Sequence, residues 1–191
     1  MKHIQNKRIV WFLLLFSFLW IVTILYLNLT KNFSFWADEA YVCSVSKQII
    51  QNRINLIPGL HFLNYQVLQV LSNIISFTTF GFSEWAARLP SVIWGGIGII
   101  FAYLLAKKYS NRYGGLLASF IYSIFQLNLT YATQARPYAA IETLFLIVLY
   151  LCTEIIESPE KISNHIKIII FSLLAFFYNP IGVICFIPYF I

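Results

Sequence analysis

The residues best suited to acid–base chemistry are two adjacent carboxylates near the start of the chain. Asp38 and Glu39 follow the aromatic pair Phe35-Trp36. An ionised carboxylate can act as a general base, taking a proton from a hydroxyl group that attacks a substrate. The alternative interpretation is structural, with Asp38 capping the helix that follows and Glu39 complementing the dipole of that helix. From sequence alone, both interpretations stay open.

Two arginines lie just before prolines, a pattern that predicts anion binding. Arg88 precedes Pro90 by two residues, and Arg136 directly precedes Pro137. Proline is favoured in the first turn of a helix, so each arginine is expected beside unpaired helix-start amides, where an anion can bind. Two such arginines could hold one phosphate. The alternatives are membrane-flanking arginines that snorkel to water and a structural ion pair with Glu142.

The composition indicates that membrane-spanning helices must position these groups. Of 191 residues, 60% are hydrophobic and only 10% are charged, whereas soluble domains carry about 25% charged residues. The net charge of +6 comes from Lys and Arg clustered beside apolar runs, which is typical of membrane proteins. Nucleic acid is therefore not a predicted partner. The cysteines, Cys43, Cys152 and Cys185, have no metal-binding or disulfide spacing.

Several uncharged runs approach or exceed the roughly 20 residues that a transmembrane helix needs. We predict five spans, at residues 9–29, 89–106, 113–135, 137–153 and 168–191. The segment 61–80 is also uncharged, but its polar side chains recur along one helical face. Such a helix either lies in the membrane interface or forms a sixth span. A further amphipathic helix is predicted at 39–53, and Asn179-Pro180 predicts a kink in the last span.

The distribution of basic residues favours five spans. If 61–80 lies on the outer surface, eight of the 13 Lys and Arg residues are cytoplasmic, namely Lys2, Lys7, Arg8, Lys107, Lys108, Arg112, Lys161 and Lys167. If this segment crosses the membrane, eight are external instead, against the positive-inside rule. The five-span topology puts the N-terminus in the cytoplasm and residues 30–88 in an external loop. Only this topology brings both arginines to the face that carries the acidic pair.

Together, the ordered motifs resemble the N-terminal region of GT-C glycosyltransferases related to protein O-mannosyltransferases and aminoarabinose transferases. The motifs are Asp38-Glu39 after the first span, then His61, the segment Ser83–Ser91 and the segment Ala135–Ala139. The likeness extends roughly from Trp36 to Ala140. It implies an all-α polytopic membrane protein, built as a GT-C-type transmembrane helix bundle with interfacial helices in its first external loop.

The resemblance also implies a reaction and a set of site residues. The reaction is inverting transfer of a sugar from a polyprenyl-phosphate donor to a lipid, glycan or protein acceptor, at the outer face of the cell membrane. Asp38 is the implied catalytic residue, with Glu39 beside it. Some relatives bind a divalent metal ion near the carboxylates, so a metal is a candidate cofactor. The candidate substrate- and phosphate-binding residues are His61, Arg88, Arg136, Tyr138 and Glu142.

Other functions stay open. A carrier or transporter that binds polyprenyl phosphate without chemistry would use the arginines but would not need Asp38. A non-catalytic helix bundle would need none of these groups for activity. Family members are several hundred residues long, so we also expect this chain to be either a fragment or a shortened gene product, and an inactive truncated form is one of the alternatives.

Overall fold

The structure is a computed structural model that describes residues 2–30, 35–53 and 66–190. These residues are almost entirely helical and contain no strand. After the last α-helix of full length, a 3-10 helix occupies Pro180–Phe186. The α-helices are α1 (Lys2–Thr30), α2 (Ala37–Ile50), α3 (Val67–Phe80), α4 (Glu84–Tyr109), α5 (Arg112–Ile124), α6 (Gln126–Ala132), α7 (Tyr138–Glu157), α8 (Ile162–Tyr178) and α9 (Ile187–Phe190).

Within the described residues, three helices are long and apolar enough to cross a bilayer. They are Ile9–Leu29 within α1, the whole of α4 and the whole of α7, with mean hydropathies of 2.5, 1.9 and 2.0. A helix of 20 residues is about 30 Å long, the thickness of the hydrocarbon core. The predicted class, an all-α integral membrane protein, is therefore confirmed.

The predicted span 113–135 is divided into α5 and α6. The chain is extended at Phe125 (φ −65°, ψ 129°), which ends the ladder of helical hydrogen bonds. Asn128 stabilises the break, because its Nδ2 donates to the carbonyl oxygen of Tyr122 at 3.1 Å. An apolar run indicates membrane burial but carries no information about such a side-chain contact, so the prediction of one continuous helix was wrong.

The last predicted span, 168–191, is also not one helix. Helix α8 begins earlier, at Ile162, and ends at Tyr178. Asn179 is extended, and its Oδ1 accepts a hydrogen bond from the amide of Ile181 at 3.0 Å. The chain then turns back along α8, where Ser172 Oγ donates to the Cys185 carbonyl at 3.2 Å. Asn179-Pro180 thus ends the helix instead of kinking it.

Side-chain contacts show how the long helices run relative to one another. Ser17 of α1 donates to the carbonyl of Gly96 at 2.7 Å, and Ile24, further along α1, packs with Val92. Helix α1 is therefore antiparallel to α4. Helix α7 is parallel to α4, because Thr143 contacts Trp94 whereas Glu157, further along α7, contacts Lys108.

This arrangement gives the bundle two ends. At the end that we call the site end, α1 finishes and both α4 and α7 begin. At the end that we call the basic end, Lys107, Lys108 and Arg112 surround the turn between α4 and α5. Gly95, Gly96 and Gly98 of α4 lie between the two ends. A Cβ on Gly96 would lie 2.6 Å from the Ile21 side chain, so helix α1 approaches α4 closely there.

Helices α2 and α3 correspond to the predicted interfacial helices, with shifted boundaries. The prediction of 39–53 becomes Ala37–Ile50, and 61–80 becomes Val67–Phe80, while residues 61–65 lie outside the described residues. The polar side chains Gln69, Asn73 and Ser76 are buried. The polar face of α3 is therefore used for packing within the protein. The position of both helices relative to the membrane stays a prediction.

Candidate active site

The acidic pair lies in the first turn of α2, with its two carboxylates in different environments. The backbone of Trp36 is extended (φ −64°, ψ 155°), and its amide donates to Glu39 Oε2 at 2.9 Å. Glu39 therefore satisfies a backbone donor at the start of the helix, the role that the structural interpretation gave to Asp38. The Asp38 side chain is 72% exposed, so its carboxylate is accessible.

Glu39 connects three parts of the site end. Its side chain has 0% exposure, and Oε1 lies 3.6 Å from Arg88 Nε. The same oxygen accepts a hydrogen bond from the backbone amide of Ala135, in the loop before α7. With the bond from Trp36, this carboxylate joins α2, α4 and the α6–α7 loop. An enclosed group with these partners holds the site together.

Arg88 is buried beside Glu39, whose carboxylate balances its positive charge. Its side chain is 1% exposed, and Nη1 lies 3.9 Å from Glu84 Oε2 one turn earlier in α4. The guanidinium also lies 5.2 Å from the centroid of the Phe35 ring, within cation–π range. Burial of an arginine is unfavourable unless a partner compensates its charge. The carboxylate of Glu39 provides that compensation.

Arg136 and Asp38 form the exposed ion pair of the site. Arg136 Nη2 donates to Asp38 Oδ2 at 2.9 Å. The guanidinium also lies 5.8 Å from the Trp36 ring centroid, and the backbone carbonyl of Arg136 accepts a hydrogen bond from Ser91 Oγ at 3.1 Å. The Trp36 ring and the Ser91 hydroxyl hold Arg136 in place, and the Asp38 carboxylate that pairs with it is exposed.

The two arginine–proline motifs differ in structure. Pro137 directly precedes α7, as predicted, and its carbonyl accepts from the Ile141 amide at 3.0 Å. Pro90 does not open a helix, because α4 begins at Glu84, where Ser83 Oγ accepts from the Ala86 amide. The expectation that Arg88 lies beside helix-start amides was therefore wrong. Ser83 caps α4 before the predicted apolar run begins at residue 89, so the helix starts earlier than predicted.

A side chain from α3 compensates for Pro90 inside the helix. Proline has no amide hydrogen, so the carbonyl of Ala86, four residues earlier, lacks its usual helical partner. Ser76 Oγ donates to this carbonyl instead. The contact attaches α3 to α4 at the turn that carries Arg88, and sequence analysis did not anticipate it.

The remaining candidate residues are not brought into the same cluster. Tyr138 is half-buried and packs on Tyr131, with ring centroids 5.2 Å apart. Glu142 lies further along α7, and its Oε2 is buried with no hydrogen-bond partner among the described residues. His61 lies outside the described residues. The structure thus joins Asp38, Glu39, Arg88 and Arg136.

Two aromatic residues were missed as parts of the site. Phe35 contacts Arg88 and Trp36 contacts Arg136, although the sequence analysis gave neither residue a role in the site. Their position directly before an acidic pair was the available signal. An aromatic side chain there can stabilise the cations that the carboxylates attract.

Cys43 lies one turn after Glu39 in α2, and its thiol is protonated. Burial raises its pKa to about 12, and the nearby carboxylate of Glu39 contributes in the same direction. Asn73 Nδ2 lies 3.8 Å from Cys43 Sγ. A thiol without thiolate character is neither a nucleophile nor a metal ligand, so Cys43 packs as a small apolar residue.

The described residues do not fit a metal ion. No group of three or more His, Cys, Asp or Glu side chains within residues 2–30, 35–53 and 66–190 could hold one. Glu39 already accepts two backbone hydrogen bonds and faces Arg88. We therefore assign no step to a metal.

The geometry of the site suits proton removal close to a bound anion. Asp38 offers an accessible carboxylate that can accept a proton. Arg136 offers a cation within hydrogen-bond distance of it, and guanidinium groups recognise phosphate through paired N–H donors. Arg88, on α4, forms a buried pair with Glu39 that fixes the turn carrying Asp38.

Comparison with known proteins gives one match. A model of the protein family described as dolichyl-phosphate-mannose-protein mannosyltransferase matches residues 71–191. The matched region includes Arg88, Arg136, Tyr138 and Glu142, whereas the acidic pair precedes it. No curated protein and no solved structure matches the chain.

Proposed function

This chain belongs to the dolichyl-phosphate-mannose-protein mannosyltransferase family of membrane glycosyltransferases, and we propose that it transfers a sugar from a polyprenyl-phosphate donor by direct displacement. Asp38 is the base, and Arg136 supplies positive charge at the leaving phosphate, while the buried Arg88–Glu39 pair holds the acidic turn in place. The acceptor is a hydroxyl group on a lipid, glycan or protein. The reaction takes place at the site end of the bundle, which we place at the outer face of the cell membrane.

Asp38 takes the proton of the acceptor hydroxyl as its oxygen attacks the anomeric carbon. The new carbon–oxygen bond forms on the face of the sugar opposite the phosphate, so the configuration is inverted. The bond from the anomeric carbon to the phosphate oxygen breaks, and its electron pair leaves with the polyprenyl phosphate. The guanidinium of Arg136 stabilises the charge that develops on this leaving group.

The observation that carries the proposal is the Asp38–Arg136 pair. A base for the hydroxyl and a cation for the phosphate must belong to one site, on opposite sides of the anomeric carbon, because one bond forms and the other breaks there. In the structure the two groups meet 2.9 Å apart, and the carboxylate is exposed, so it can separate from Arg136 when the sugar phosphate enters. A transporter would need the cation but would have no use for an accessible base beside it.

The location of the arginines in the long helices supports a lipid-linked donor. The arginines lie at the start of two helices that are long enough to cross the bilayer, near the depth of a phospholipid headgroup. A polyprenyl phosphate could place its phosphate there while its chain stays in hydrocarbon. The acceptor would then approach from the aqueous side, where Asp38 is exposed.

The test is an assay of sugar transfer by the full chain with Asp38→Asn. We expect the rate to fall by about 100- to 10,000-fold, the contribution of positioned proton transfer. The matched control is Glu157→Gln at the basic end, where an exposed carboxylate pairs with Lys108 and wild-type turnover is expected. Undiminished turnover in Asp38→Asn would remove Asp38 from the mechanism.

A further inference from the structure

The two arginines of the site differ in how easily the carboxylate paired with each one can be replaced. Arg88 is enclosed and faces the buried carboxylate of Glu39, which cannot leave without breaking its bonds to Trp36 and Ala135. Arg136 is paired instead with an exposed carboxylate through one hydrogen bond. An incoming anion can therefore replace the partner of Arg136 at much lower cost than the partner of Arg88.

We propose that the donor phosphate displaces Asp38 from Arg136, so that donor binding itself releases the base. This inference rests on the proposed function and adds a binding order to it. Before the donor arrives, Asp38 is the counterion of Arg136. After the phosphate takes its place, the carboxylate is free to accept the proton of the acceptor, and deprotonation is coupled to an occupied donor site.

The surroundings of Arg136 keep it in place during this exchange. Its guanidinium lies over the Trp36 ring, and Ser91 holds its backbone carbonyl. Its Nε is buried and has no hydrogen-bond partner among the described residues. A phosphate has enough acceptor oxygens to bind more than one of the guanidinium donors, whereas Asp38 engages only Nη2.

The proposed exchange predicts a change in affinity for the donor headgroup, which a loss of catalysis alone does not predict. If Asp38 competes with phosphate for Arg136, its removal must tighten binding of the donor headgroup. Exposed ion pairs contribute about 0.2–1 kcal/mol, which corresponds to a dissociation constant lower by about 1.4- to 5-fold. Asp38→Asn is thus expected to bind polyprenyl phosphate more tightly while it loses transfer.

The experiment measures the dissociation constant of polyprenyl monophosphate for the full chain in nanodiscs of neutral phospholipid. Glu84→Gln is the matched control, because it removes a carboxylate near Arg88 without touching Arg136; its affinity is expected to match that of the wild type. In an Arg136→Gln background, Asp38→Asn is expected to have no further effect on affinity. Arg136→Met, which also removes the positive charge, serves in the same way if Arg136→Gln does not fold.

The outcomes separate this inference from the proposed function. Unchanged or weaker binding in Asp38→Asn overturns the exchange. So does a tightening that persists in the Arg136→Gln background, because Asp38 would then repel the phosphate directly. Equal tightening in Glu84→Gln also overturns it, as a general effect of charge. A wild-type chain that binds no polyprenyl phosphate contradicts the proposed function as well.

Discussion

At the scale of single residues, the acidic pair shows what sequence can and cannot assign. The types and order of Asp38 and Glu39 indicated a reactive carboxylate, but adjacent acids in a sequence look equivalent. Their difference comes from the turn of α2, which directs Glu39 inward to Arg88 and Asp38 outward to Arg136. That direction depends on tertiary contacts with α4 and the α6–α7 loop, which no local pattern encodes.

Glu39 is expected to be important for stability because it neutralises a buried cation. Glu39→Gln leaves Arg88 without a charged partner in the interior, and losing one member of a buried pair costs about 3 kcal/mol. The change is measured as the free energy of unfolding in a denaturant titration. Glu84→Gln, which removes the exposed partner of Arg88, should cost less than about 1 kcal/mol. Equal losses in the two variants would show that Glu39 does not have this role.

At the scale of helices, composition predicted the three long apolar helices but not where helices end. Apolar length revealed α1, α4 and α7, since the thickness of hydrocarbon sets it. The breaks at Phe125 and Asn179 depend instead on single hydrogen bonds, one donated by the Asn128 side chain and one accepted by the Asn179 side chain. The predicted position of Pro90 in the first turn of a helix was wrong for a similar reason. Ser83, which caps α4, lies outside the apolar run.

The contact of Ser76 with Ala86 can be tested together with the proline that makes it necessary. Ser76→Ala leaves a buried carbonyl without a donor and should reduce stability by about 1–2 kcal/mol. In a Pro90→Ala background, the restored amide can bond to Ala86, so Ser76→Ala should cost much less. Denaturation of the four proteins in one double-mutant cycle measures this difference. A cost that is the same in both backgrounds would contradict the compensation.

At the scale of the whole molecule, the prediction that the structure supports most strongly is that the distant motifs meet. Charge counting required Arg88 and Arg136 to lie on the same side as the acidic pair, and the structure places all of them at the site end. It does so because α4 and α7 are parallel and α1 is antiparallel to both. The six-span alternative would have separated these groups by the bilayer. Which side of the membrane the site end faces stays a prediction from the basic residues.

The most direct test of the account is the accessibility of the two bundle ends from each side of the membrane. Single cysteines at exposed Ser110, in the turn at the basic end, and at exposed Ala40, beside the acidic pair, would be treated with an impermeant maleimide in intact cells and in inverted vesicles. The native Cys43, Cys152 and Cys185 are first replaced by alanine, so that only the introduced thiol can react. We predict that Ala40→Cys is labelled only from outside and Ser110→Cys only from the cytoplasmic side. Labelling of Ser110→Cys from outside, or of both cysteines from one side, would contradict the proposed site at the outer face.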